Sequence, residues 1–145
     1  MKRQPLFDWD PETGIATCII FDKNDQTYMG MAQCHPDDID MMSEKTGYHI
    51  ALERAAIYGL QSIRKNELKP ELASLKQLYY SMNRSKYFNP KSYEARMLKR
   101  QIKIKEEDIR SITNEIYLRK EQLREFINNK DSFYKAVRAN RGQEK

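Results

Sequence analysis

Two short stretches near the N-terminus alternate in a way that predicts β-strands. Over residues 15–22 the odd positions Ile15, Thr17, Ile19 and Phe21 share one face. Over residues 27–34, Tyr28, Gly30, Ala32 and Cys34 share one face while Met29 and Met31 line the other. The polar run Lys23-Asn24-Asp25-Gln26 joins them, so an antiparallel hairpin with a four-residue connection is expected, with Cys18 opposite Met31. Residues 1–14 read as a lead-in that ends in the turn Asp10-Pro11-Glu12-Thr13-Gly14. There proline fixes one φ and glycine accepts the strained position that follows. His35-Pro36-Asp37-Asp38 leaves the second strand as a turn or a helix start.

From Gly47 the period changes to that of a helix. Ile50, Ile57, Leu60, Ile63 and Leu68 form a stripe, and the small residues Ala51, Ala55 and Ala56 allow another element to come close. Pro70 is expected to kink or restart this helix, after which Leu72, Leu75, Tyr79 and Met82 continue the stripe. Residues 81–85 and Phe88-Asn89-Pro90 mark a connection. In the last segment Ile102, Ile109, Ile116 and Leu123 recur every seven residues, with Leu98, Ile112, Phe126 and Phe133 in the matching d positions. Lys105 and Arg119 interrupt that d column, either to set register or to face a ligand. The pattern predicts an α+β fold: a small N-terminal antiparallel β-sheet, then two long antiparallel helices that oligomerise through their apolar stripes. The expected division is an N-terminal β-sheet region over residues 1–46 and a helical region over 47–145, as one continuous domain with a helical extension.

Composition sharpens this picture. With 145 residues, 32% charged and 39% hydrophobic, the chain suits one small domain with an extension. Its mean hydropathy is −0.88. No apolar run is much longer than Cys18–Phe21, and the first residues lack an apolar signal core, so a cytoplasmic protein without membrane spans is expected. The cysteines Cys18 and Cys34 offer no disulfide framework. The net charge of +5 is uneven: −5 over residues 1–46, +4 over 47–90 and +6 over 91–145. The basic excess of the helical part suits an anionic partner or, more plainly, a solvated helix face.

Chemistry-bearing motifs are sparse. There is no phosphate-binding P-loop, dinucleotide fingerprint, paired CxxC, HExxH or nucleophile elbow. Cys34, His35 and His49, with Cys18 as a fourth ligand, make a poor zinc set. Asp37, Asp38 and Asp40 suit a helix cap better than a cation site. No catalytic residue, metal or cofactor is expected, and the protein reads as a non-enzyme. The richest cluster is at the second connection, where Tyr79, Tyr80, Tyr87, Phe88, Asn89 and Tyr93 precede Arg96 and Arg100. The two arginines, four apart on a helix, can grip one phosphate or pyrophosphate, while rings and an amide suit a purine. The alternative is that the rings are core and the arginines solvated.

These residues carry a resemblance. From about Gly14 to Arg124 the chain resembles the first-described family of phage-encoded Thoeris anti-defence sponges. The likeness is in architecture and in three stretches: Tyr28 to Asp38, Gly47 to Leu60, and Phe88-Asn89-Pro90-Lys91-Ser92-Tyr93-Glu94-Ala95-Arg96. The resemblance implies a non-catalytic function. Members of that family sequester, intact, the cyclic ADP-ribose isomers made by bacterial TIR-domain enzymes, so that the Thoeris effector in the infected host stays inactive. It also implies homo-oligomers built from dimers, and cyclic oligonucleotides as ligands of some members. Arg54, Tyr79 and Asn89 look equivalent to three of the family's ligand-binding positions, and Arg96, Arg100 and Arg110 are candidates for its helix-two arginines, with Phe88 beside them.

Two rival readings remain at this level: a basic nucleic-acid-binding protein, and a coiled-coil adaptor that inhibits a host protein directly. The first is disfavoured because the fifteen basic residues of 91–145 are interleaved with nine acids.

Overall fold

A computed structural model describes residues 3–34 and 43–143, with side chains to residue 140. It has an α+β fold in which a three-stranded antiparallel sheet precedes long helices. The strands are β1 (Leu6–Asp10), β2 (Ile15–Phe21) and β3 (Thr27–Gln33), in the order β1-β2-β3. The helices are α1 (Glu44–Ile63), α2 (Lys69–Asn83) and α3 (Tyr93–Gln143), with a π-helical turn over Arg64–Leu68 between α1 and α2. The turn His35-Pro36-Asp37-Asp38 and the carboxylate Asp40 lie outside the described residues. The chain forms two compact units: Met1–Gly59 with Tyr117–Lys145, and Leu60–Ile116.

In the first unit the sheet departs from the sequence reading in two ways. The expected lead-in contains a strand: β1 pairs with β2, Leu6 opposite Ile19 and Asp10 opposite Ile15. The expected turn then closes it. Gly14 adopts φ 69°, its amide donates to the Asp10 carbonyl at 2.8 Å, and Asp10 Oδ1 accepts the Glu12 amide at 3.0 Å. The second departure is a one-residue change of register, since Cys18 faces Gly30 and Met31 faces Thr17. The cause lies in the loop. Asp22 and Gln26 close the hairpin through a 3.0 Å backbone bond, which leaves Lys23-Asn24-Asp25 as a three-residue loop with Asp25 at φ 59°. Asp22 Oδ1 accepts the amides of Asn24 and Gln26, at 2.8 and 2.9 Å, and so holds this shorter loop.

That register places Ala16, Cys18, Gly30 and Ala32 on one face, all buried. The small face lies directly against α1, whose Ala51 and Ala55 are fully buried. Phe7 stacks on Tyr48 with ring centroids 4.6 Å apart, and the Tyr28 ring lies over Gly59. Leu6, Met29 and Met31 occupy the opposite, open face of the sheet. Both cysteines are buried, and burial raises the Cys18 thiol pKa.

The heptad columns face inward within each unit. In the first, Leu123 is buried, Phe126 stacks on His49 at 4.6 Å, and the polar d residue Arg119 pairs with Glu53 at 3.4 Å. In the second, Leu98 and Ile116 are buried, Lys105 pairs with Glu71, and Arg64 Nη1 donates to Thr113 Oγ1 at 3.2 Å. The two polar d residues therefore set an antiparallel register inside the chain. Phe133 is turned outward and Tyr134 is buried in its stead. A strict seven-residue frame drifts by about 20° per heptad on a straight helix, which is about one residue after five heptads. The π-helical turn has a local cause as well. Pro70 has no amide to donate, and its ring would strike the carbonyl four residues back. Just before it the ladder widens, and the Lys69 amide bonds to the Arg64 carbonyl.

Candidate functional site

The second unit gathers most of the candidate residues around the connection between α2 and α3. Met82 and Ser85 carry the chain out of α2, and the Phe88 amide donates to the Ser85 carbonyl at 3.1 Å. Asn89 Oδ1 accepts the Lys91 amide at 3.0 Å, and its carbonyl accepts the Ser92 amide at 3.0 Å. Ser92 Oγ accepts the Ala95 amide at 3.2 Å, which caps the start of α3. Asn89 thus acts first as a turn residue. Its side-chain oxygen is engaged, and its amide nitrogen is left to donate.

Tyr79 and Phe88 meet edge to face, with centroids 6.0 Å apart and planes at 86°. Both are half-buried, so this pair combines local packing with a partly open ring surface. Arg96 and Arg100 line one groove of about 530 Å³ on α3, together with Lys99, Ile102, Lys103 and Glu106. Positions 96, 99, 100 and 103 fall on one helix face, and all the residues lining this open, shallow groove belong to α3. Lys99 and Lys103 were missed in the sequence reading, although their helical spacing from Arg96 and Arg100 was the available signal. Arg110 is exposed and does not line this groove; it lies about 15 Å further along the helix axis from Arg100.

Arg54 belongs to the first unit. Its Nη1 donates to the Met31 carbonyl at 2.7 Å. The β2–β3 ladder explains why that carbonyl is available. The Cys34 amide reaches Gly14 and the Asp22 amide reaches Gln26, so even-numbered residues of β3 face β2 and odd-numbered ones face the free edge. Arg54 also lines a cavity of about 100 Å³ with Lys130, Gln33, Thr46 and Tyr134. That volume holds a few waters or a small anion and is below the range of nucleotide pockets.

A second groove, of about 610 Å³, runs between α2 and α3 and is mostly apolar, lined by Leu75, Leu78 and Ile104 with Glu71 and Lys105 at its rim. The bond to Glu71 raises the Lys105 pKa, which keeps the ammonium charged at this rim. Among the described residues no group of three His, Cys, Asp or Glu side chains converges to hold a metal ion. No described helix is long and apolar enough to cross a membrane. No family model, curated protein or solved structure matches the chain.

Proposed function

We propose that the protein captures a TIR-produced cyclic ADP-ribose signal stoichiometrically and without chemical change, and thereby blocks Thoeris anti-phage defence in the infected bacterium. One observation carries this reading: Arg96 and Arg100 share a basic groove in the same compact unit as the Tyr79–Phe88 ring pair and Asn89. A cyclic pyrophosphate offers the arginines two charges to pair and the rings an adenine to stack on. Charge-assisted hydrogen bonds at roughly 1.5–3 kcal/mol each and a stacked base at about 1–3 kcal/mol reach the scale of tight binding. The step from millimolar to nanomolar affinity is about 8 kcal/mol.

The active form we propose is a homo-oligomer. No residue of α2 is buried within the chain, and Leu78 and Ile104 stand 55% and 48% exposed in the apolar groove. A second copy laid along Leu75, Leu78 and Ile104 would complete the layer that two helices leave open. Arg54 is included in this reading on the resemblance alone; within the chain its guanidinium donates to the Met31 carbonyl.

Calorimetric titration with glycocyclic ADP-ribose isomers tests the function, followed by heating the complex and identifying the released molecule. Submicromolar binding with intact ligand recovered is expected, and Asn89→Ala or Arg54→Ala should abolish capture. Recovery of a cleaved product would make the protein an enzyme. Absence of binding by every isomer would refute the proposal.

A further inference from the structure

The connection between α2 and α3 has features that capture of a small cyclic ligand leaves unused. Residues 84–103 contain seven basic side chains and a single acidic one, Glu94. The acids that interrupt the basic character of the C-terminal segment therefore lie almost entirely beyond this stretch. Among the described residues, no ion pair joins Arg84, Lys86 or Lys91 to a carboxylate. The local potential is thus strongly positive at the end of the second unit.

Flat rings are interleaved with these charges and remain open. Tyr87 is 86% exposed and Tyr93 65%, although burial of such rings would be favourable. Neither stacks on another ring of the described residues. Beside them Arg84 lies over the Tyr80 ring at 4.6 Å and donates from Nη2 to the Tyr80 hydroxyl at 3.0 Å, so a guanidinium plane is held ready at the surface. From Arg96 to Lys103 the basic face of α3 extends for about 10 Å, longer than one phosphate group needs.

We propose that this connection binds single-stranded nucleic acid, with bases stacked on Tyr87 and Tyr93 and phosphates held by Arg84, Lys86, Lys91 and the first turns of α3. Open rings among unpaired cations are what a strand of any sequence requires: an electrostatic track, and platforms that accept every base. A polyanion without bases would use the cations and leave the rings idle. A duplex would hide its base faces from them. The two readings share Arg96 and Arg100 on α3, but the inference does not rest on cyclic-nucleotide capture, since Tyr87, Tyr93, Lys86 and Lys91 are not residues of that proposed site.

Fluorescence anisotropy of a labelled oligothymidylate, titrated with the intact protein at several salt concentrations, tests it. Binding should weaken steeply between about 50 and 200 mM salt. Tyr87→Ala with Tyr93→Ala should lower affinity at least about tenfold while leaving heparin binding and the melting curve unchanged. Lys86→Gln and Lys91→Gln should each reduce the salt slope by about 0.7. Equal affinity for a duplex of the same length would overturn the proposal, as would unchanged affinity in the tyrosine variant or no binding at the lowest salt. Titration of the tyrosine variant with cyclic ADP-ribose keeps the two functions separable, because its capture of that ligand should be unaltered.

Discussion

A β-carbon placed on Gly30 would lie 2.0 Å from the carbonyl oxygen of Ala51 and 2.5 Å from the Ala55 amide nitrogen. The sheet and α1 therefore meet backbone to backbone, and the obstructing atoms cannot rotate away as a side chain would. Gly30→Ala should destabilise the first unit by about 3 kcal/mol, the upper part of the range for overpacked cores. Urea unfolding reads this as a lower midpoint with unchanged slope. A midpoint equal to the parent's would show that helix and sheet are further apart.

The ion pair of Arg119 and Glu53, at 3.4 Å and with both side chains partly screened, fixes which turn of α3 faces α1 in the first unit. A double-mutant cycle with Arg119→Ala and Glu53→Ala should give a coupling of about 0.5–1 kcal/mol. Arg119→Leu should keep most of the stability, because the position belongs to the apolar column. Coupling indistinguishable from zero would leave register to the apolar residues alone.

Asp22 gives the hairpin a pH dependence whose sign follows from its surroundings. Partial burial works to raise its pKa, but the amides of Gln26 and Asn24 and the Tyr28 hydroxyl outweigh it and hold the carboxyl below its ordinary value. A carboxylate with a depressed folded pKa contributes stability above its unfolded value of about 3.9, and that contribution is lost as pH falls through the folded value. Thermal melts of the parent should therefore lose stability on acidification below about pH 4, and Asp22→Ala should remove that part of the dependence. Direct titration of the Asp22 carboxyl by NMR should give a midpoint below the model-peptide value.

Assembly and folding should respond to different substitutions. Ile116 is 4% exposed within its own chain, so Ile116→Asp should cost more than about 3 kcal/mol and report on the fold. Leu78 and Ile104 are open, so Leu78→Asp with Ile104→Asp should lower the sedimentation coefficient while the monomer remains folded. An unchanged sedimentation profile in that double variant would remove the α2–α3 groove as the contact between copies.

Alternation over residues 15–34 and the seven-residue recurrence of Ile102, Ile109, Ile116 and Leu123 were enough to place a small sheet before long helices. Both are local periodicities, and side-chain direction follows them directly. The turn at Gly14 and the interruption at Pro70 were legible for the same reason, since each expresses the backbone limits of a single residue. In the site, helical spacing alone placed Arg96 and Arg100 on one face, and it would have placed Lys99 and Lys103 there too.

The remainder depended on contacts between elements distant in sequence. β1 carries two aspartates and reads as a lead-in until its pairing with β2 places Phe7 and Trp9 on the face turned to α1. The hairpin register turned on whether four residues or three made the loop, and the hydrogen bonds of Asp22 with Asp25 at positive φ chose three. Helical spacing could not show that Arg54 reaches the edge carbonyl of Met31, because that carbonyl belongs to a strand more than twenty residues away. Periodicity fixes which way a side chain points along its own element; what it meets there is settled when β3 and α1 come together, because only then do unpaired backbone groups find their partners.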